Sequence, residues 1–187
     1  MSFNNETKVT EENLVHSVIQ GNTLAFGMII KNTEGLVAQI VFRMLSNPED
    51  RKDIIQEIYL KVFKSLPEFK FRSKLSTWIA KIAYTTCVNY LEKDQLVLDD
   101  SPHDRVDDGE PAEHIFKKEL SAILTVELEK LEPLYRTIVI LYHQEELSYL
   151  DIAQVTGLPV GTVKSYLFRA RKKLKENILA QYKQEEL

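Results

Sequence analysis

Residues 147–175 read LSYLDIAQVTGLPVGTVKSYLFRARKKLK, a helix, a tight turn and a second helix that ends strongly basic. Ser148 can cap the first helix, with Asp151 three residues on completing a Ser-x-x-Asp capping box. Ile152 and Val155 are apolar at helical spacing, and Ala153 is small enough to admit a neighbouring helix. Gly157 falls in the turn, where a left-handed backbone is easy only for glycine. Pro159 suits the first position of the next helix, because its missing N–H would be unbonded there anyway. Val163, Tyr166, Leu167, Ala170 and Leu174 recur at three- and four-residue spacing and give that helix an inner stripe. Lys164, Arg169, Arg171, Lys172, Lys173 and Lys175 occupy other positions, with no acid before Glu176. Such a helix-turn-helix lays its second helix in the major groove, with N-terminal residues at base edges and cations near phosphates.

Composition limits what the rest of the chain can be. At 187 residues there is room for one large or two small cores. A net charge of -4 argues against a protein that coats nucleic acid indiscriminately. The charge is uneven: residues 1–93 carry 12 basic and 10 acidic side chains, 94–119 carry 3 and 9, and 120–187 carry 9 and 9. DNA contact is therefore expected to be local. The single cysteine, Cys87, precludes an internal disulfide or a CxxC zinc site, and its apolar helical context points to an inert thiol. The N-terminus lacks a basic-then-apolar signal pattern, and no apolar run approaches the roughly 18 residues of a membrane span. A cytoplasmic location is expected by elimination.

Outward from the quoted stretch, almost every periodic segment has helical spacing, so the expected fold is all-α. Residues 1–10 are polar and expected to be loose. A first helix is predicted over Glu11–Gln20, ended by Gly21-Asn22, and a second from about Thr23 with Phe26, Ile29 and Ile30. Leu36, Val37, Ile40, Val41, Met44 and Leu45 form a third stripe, closed by Ser46-Asn47-Pro48. From Asp50 to Leu66, Ile55, Ile58, Tyr59, Val62, Phe63 and Leu66 share one face, opposite Asp53, Gln56, Glu57 and Lys61; Pro67 stops the helix. Another helix is predicted from about Thr77 to Leu91. Residues 94–113 then hold eight acids, two prolines and one glycine, too little apolar surface to order itself, and read as an interdomain linker. Helices resume at about His114. The expected domains are 1–93 and 114–187, joined by the acidic tether.

A second nucleic-acid surface is expected over the segment Phe69–Tyr90. Phe69, Phe71, Trp78, Tyr84 and Tyr90 lie among Lys70, Arg72, Lys74 and Lys81. Exposed rings beside cations suit unstacked bases, because a ring stacks on any base face while a cation takes the phosphate, at about 1–3 kcal/mol per base. The same spacing equally describes core residues, and Trp78, sharing a stripe with Ile79 and Ile82, reads better that way.

Taken together these segments resemble the bacterial RNA polymerase sigma factors of the sigma-70 family, in particular the small two-domain extracytoplasmic-function (ECF) class. Asp53-Ile54-Ile55-Gln56-Glu57 is similar to the family's Asp-x-x-Gln-Glu core, which binds the polymerase clamp. FKFRSKLSTWIAKIAY, with Ser76-Thr77-Trp78 and Ile82-Ala83, resembles the loop and helix that open and read the promoter element around position -10. Leu131-Glu132-Pro133-Leu134-Tyr135-Arg136 and the helix-turn-helix after it are similar to the domain that reads the element around position -35. The chain departs from the pattern at Thr85, Asn89 and Glu92, where the family usually has an asparagine and then an Asp and Arg pair.

The resemblance implies a transcription initiation factor that binds core RNA polymerase, at clamp and flap, and promoter DNA. Polymerase contact would fall to Asp53, Gln56 and Glu57. The -10 contacts would be Phe69, Lys70, Phe71, Arg72, Ser73, Lys74, Thr77, Lys81, Tyr84, Thr85 and Asn89. The -35 contacts would be Pro159, Val160, Gly161, Thr162, Lys164, Ser165, Phe168, Arg169, Arg171 and Lys172. An anti-sigma factor, often membrane-anchored, is an expected partner. No catalytic residue, metal, cofactor or small-molecule substrate is expected: His16, His103, His114 and His143 are scattered, and Gly161-Thr162-Val163-Lys164 lacks the order of a phosphate loop. The competing expectation is a stand-alone dimeric helix-turn-helix regulator reading two half-sites.

Overall fold

The computed structural model describes residues 3–97 and 123–185, with side chains over 11–93 and 123–180. These residues form two compact units, one built on 3–97 and the other on 123–153 and 158–185. Residues 98–113 of the expected tether, and the expected helix start at His114, lie outside the described residues. Among those described there are helices and no strands, as the periodicity predicts.

In the first unit, α1 (Phe3–Ile19) begins eight residues earlier than the spacing suggests, so the polar N-terminal segment is helical, not loose. Gly21, at φ +93°, turns the chain, and the Asn22 side chain accepts the Ala25 N–H at 3.2 Å to cap α2. That helix, α2 (Thr23–Met44), is a single rod where the sequence shows two stripes. It passes through Gly27 and Gly35, each unfavourable in a helix by about 1 kcal/mol. Burial along it offsets this: Ile29, Leu36, Val37, Ile40, Val41 and Met44 are all in the core, and a fully buried aliphatic side chain contributes about 1.5–3 kcal/mol. By length and composition α2 could also cross a membrane. It packs instead as the central helix of this unit, against α1 and the two helices that follow.

Asn47 caps α3 (Pro48–Ser65) by accepting the Glu49 N–H at 3.2 Å. Its buried face is Ile54, Ile58, Tyr59 and Val62. Ile55 is only half-buried and Phe63 is exposed, so the apolar stripe is rotated from the expected one by about one position. The Tyr59 hydroxyl meets Thr33 Oγ1 at 3.1 Å, and Thr33 donates on to the Ile29 carbonyl at 2.8 Å, which satisfies two buried hydroxyls. After a single 3-10 turn at Leu66–Glu68, α4 runs Leu75–Val97, beyond the expected end at Leu91 and into the segment expected to be linker.

The second unit starts with a helical segment at 123–129, here α5, followed by α6 (Pro133–His143), α7 (Tyr149–Thr156) and α8 (Val160–Glu185). Thr137, Ile138, Val139, Ile140 and Leu141 are buried in succession, so α6 is covered all round and forms the middle of this core. It ends where Glu146 takes φ +51° and the Leu147 N–H returns to the Leu141 carbonyl at 2.9 Å. Glu127 is fully buried in α5 and held by Lys130, whose ammonium keeps the carboxyl below the usual carboxylate range against the opposing effect of burial.

Candidate nucleic-acid interface

The helix-turn-helix is built from local interactions that its sequence specifies. The Ser148 N–H donates to Asp151 Oδ2 at 3.3 Å, and the Asp151 N–H donates to Ser148 Oγ at 3.1 Å, which closes the capping box at the start of α7. Gly157 takes φ +74°. Pro159 stands one residue ahead of α8 rather than inside it, its carbonyl accepting the Thr162 and Val163 N–H groups at 2.9 and 3.0 Å. Val163, Leu167, Ala170 and Leu174 are buried. Tyr166 completes the stripe half-buried, stacked on Tyr135 with centroids 4.8 Å apart.

Away from that stripe, Gly161, Lys164, Ser165, Phe168, Arg169, Arg171 and Lys172 are exposed, as is Pro159, while Val160 and Thr162 are half-buried. Phe168 is 69% exposed, an unusual position for a large ring on a helix with a full core behind it. Ser165 donates to the Gly161 carbonyl at 2.9 Å, and Lys172 lies 3.8 Å from Glu176. Arg171 is already engaged. Its Nε donates to His143 Nε2 at 3.1 Å, with Nη2 at 3.0 Å, and its guanidinium lies 5.0 Å from the centroid of the Tyr142 ring. Burial, and then the neighbouring Arg171 charge, hold His143 below its ordinary value, and a neutral ring is what the acceptor role of Nε2 requires. This clasp is not legible from the chain, since the partners are 28 residues apart and each looks like an ordinary polar side chain.

In the first unit, Asp53, Gln56 and Glu57 are exposed on one face of α3. Glu57 pairs with Lys61 at 2.6 Å, and Lys61 donates to Thr86 Oγ1 of α4 at 3.2 Å. The 69–74 loop corrects part of the sequence reading. Phe69 is 7% exposed and packs on Phe71 and Trp78, with centroids 4.7 and 5.1 Å away, so it offers no free face to a base. Thr77, 1% exposed, is also closed to solvent. Phe69 is closed in by Phe71 and Trp78, and Thr77 lies on the buried side of α4 with Ala80, Ala83 and Cys87. Trp78 is half-buried within this aromatic cluster, in keeping with the core reading.

Phe71 is half-buried and sits at φ +53°, a backbone region that bulky residues rarely adopt. The His16 ring of α1 lies 6.2 Å from it. Lys70, Arg72, Lys74, Lys81, Thr85 and Asn89 are exposed, and Ser73 and Tyr84 half-buried. The first turn of α4 contains no acid of its own; Glu11 of α1 supplies one, its Oε2 accepting the Leu75 N–H at 3.3 Å. Cys87 is buried, which pushes its thiol up to about 12 despite Lys61 nearby. No cluster of metal-ligating side chains occurs among the described residues.

An all-helical chain in two units, one ending in a helix-turn-helix with an exposed basic helix and the other carrying an exposed cationic loop, defines a DNA-binding protein of the transcription machinery. The family model "Sigma-70 region 2" matches residues 29–96, and "Sigma-70, region 4" matches residues 121–174. The ECF RNA polymerase sigma-E factor of Haemophilus influenzae is 31% identical over 183 residues, covering 91% of this chain and 96% of that protein. The ECF RNA polymerase sigma factor SigW of Bacillus subtilis is 28% identical over 176 residues, covering 88% and 94%. Among solved structures, the sigma factor RpoE of Bartonella quintana, in complex with the anti-sigma factor NepR, has a TM-score of 0.67 at 22% identity and covers 81% of this chain and 94% of that one. The chain belongs to the sigma-70 family, in its ECF class, and is a promoter-directing transcription initiation factor.

Proposed function

We propose that the two units divide promoter recognition between them, with boundaries at 1–93, 94–113 and 114–187. The first unit docks on the polymerase clamp through Asp53, Gln56 and Glu57. Its loop and α4 take the -10 element: Lys70, Arg72, Lys74 and Lys81 hold phosphates, Phe71 and Tyr84 meet unstacked bases, and Ser73, Thr85 and Asn89 supply hydrogen bonds. Phe69 and Thr77 act from beneath, as the floor on which that loop rests. In the second unit α8 enters the major groove at the -35 element, with Pro159 to Thr162 and Ser165 nearest the bases, Lys164, Arg169 and Lys172 at phosphates, and Phe168 against an apolar edge such as a thymine methyl.

The acidic segment 94–113 threads a basic channel of the enzyme. Two short elements held at a fixed distance multiply their affinities through effective concentration. A chain of net charge -4 that grips DNA weakly by itself becomes tight-binding once polymerase sets the spacing. It acts by binding, not by catalysis, in the cytoplasm, and an anti-sigma factor holds it inactive, as the partner in the Bartonella quintana complex suggests.

The observation that carries the reading is the exposed row of Lys164, Ser165, Phe168 and Arg169 on α8, opposite a complete buried stripe. Charge reversal at the other interface tests the division of labour. Asp53→Lys with Glu57→Lys is expected to weaken binding to core polymerase at least about tenfold, or about 1.4 kcal/mol, without weakening the affinity of the free chain for duplex DNA. Undiminished polymerase binding would refute it.

A further inference from the structure

A pair of stacked tyrosines joins the helices of the second unit beside the cations of α8. Tyr142, near the end of α6, and Tyr149, at the start of α7, lie almost parallel, with centroids 5.0 Å apart and 19° between their planes. Each ring carries a cation from α8: Lys164 Nζ lies 5.5 Å from the Tyr149 centroid, and the Arg171 guanidinium 5.0 Å from that of Tyr142. Lys164 and Arg171 are seven residues apart, about two turns of α8, and the tyrosine pair bridges that interval. Arg171 is pinned twice, its face over Tyr142 and its Nε–H on His143 Nε2. A planar guanidinium suits this double use in a way that an ammonium does not. Lys164 holds its ammonium over the Tyr149 ring, a contact that leaves its charge unneutralised.

We propose that Arg171 is a positioning residue for DNA binding: clasped by His143 and Tyr142, it fixes the Tyr142–Tyr149 stack against α8 and so sets the direction in which Lys164 meets a phosphate, making no phosphate contact itself. This rests on the reading of α8 as the -35 helix. It removes Arg171 from the set of direct contacts that its place in the basic run suggests. It also gives α6 and α7 a part in aiming a side chain of α8.

The salt dependence of binding separates a positioning role from a direct one, because removing a single side chain that neutralises a phosphate lowers the slope of log K against log salt by about 0.9. The full chain bound to core RNA polymerase would be used to select a fluorescein-labelled promoter duplex from a random-sequence pool, with anisotropy then read between about 50 and 200 mM salt. Lys164→Ala is expected to lower the slope by about 0.9. Arg171→Ala should weaken binding about three- to tenfold at fixed salt with the wild-type slope. Its effect should shrink in the Lys164→Ala background, since the two act through one ladder. Arg171→Lys, which keeps the charge and perturbs folding least, should behave like Arg171→Ala. A slope reduced by about 0.9 in Arg171→Ala, or wild-type affinity in Arg171→Lys, would overturn the positioning role alone. A wild-type complex with polymerase that enriches no sequence would overturn the underlying reading of α8, and the positioning role with it.

Discussion

Replacing Gly157 by alanine perturbs the turn that aims α8. A Cβ built at Gly157 has no heavy atom within 4 Å, so crowding contributes nothing. What remains is the backbone: at φ +74° an L-residue is unfavourable by roughly 1–2 kcal/mol. Alanine also reduces the freedom of the unfolded chain, but in a left-handed site that gain is smaller than the strain. A net loss of about 1 kcal/mol follows, roughly a fivefold rise in the open population of that turn. Hydrogen exchange on the full chain is the assay. Amides of α7 and of the first turns of α8 should exchange about fivefold faster, while those of α2 to α4 keep their rates. Gly35 is the control, since it lies inside α2 at an ordinary helical φ with equally open space around it. There alanine should stabilise by about 0.5–1 kcal/mol. Unchanged or slower exchange at α7 and α8 in Gly157→Ala would refute the reasoning, because the turn would then not require a left-handed residue.

Burial that pushes the Cys87 thiol up to about 12 leaves almost no thiolate near neutral pH, so the native chain should resist iodoacetamide and react only when unfolded; rapid native alkylation would contradict this. His143 is held below its ordinary value, so the folded unit binds the proton less well than the unfolded chain. The stability this gives is fully present above an unfolded pKa of about 6.5 and is lost as pH falls through the lower folded value. An NMR titration of the His143 ring with a midpoint above about 6.5 would reverse that sign and contradict the Arg171 clasp.

What the sequence makes legible is mostly what is local. Ser148, Asp151 and Gly157 act within a few residues of themselves, and the stripe from Val163 to Leu174 has the period of a helix with one buried side. Features set by distant partners stay hidden. The N-terminal turns of α1 have no apolar period of their own to announce them. The glycines in α2 suggest a break, but its packing against α1, α3 and α4 outweighs their roughly 1 kcal/mol each. Phe69 and Thr77 look available in the sequence because exposure is decided by how the loop and α4 pack on the rest of the unit, and Arg171 because its partner His143 is remote in the chain. The exposed cations of α8 need only helical spacing to be read.

The measurement that bears most directly on promoter recognition by two spaced units is transcription by core RNA polymerase with and without the full-length chain, on a library of promoter fragments. The expected result is initiation that depends on the chain and is confined to templates sharing two short elements at one separation, with activity lost when that separation changes by a few base pairs. Initiation that ignores the spacing, or a stable dimer of the free chain that protects DNA while adding nothing to polymerase, would contradict it.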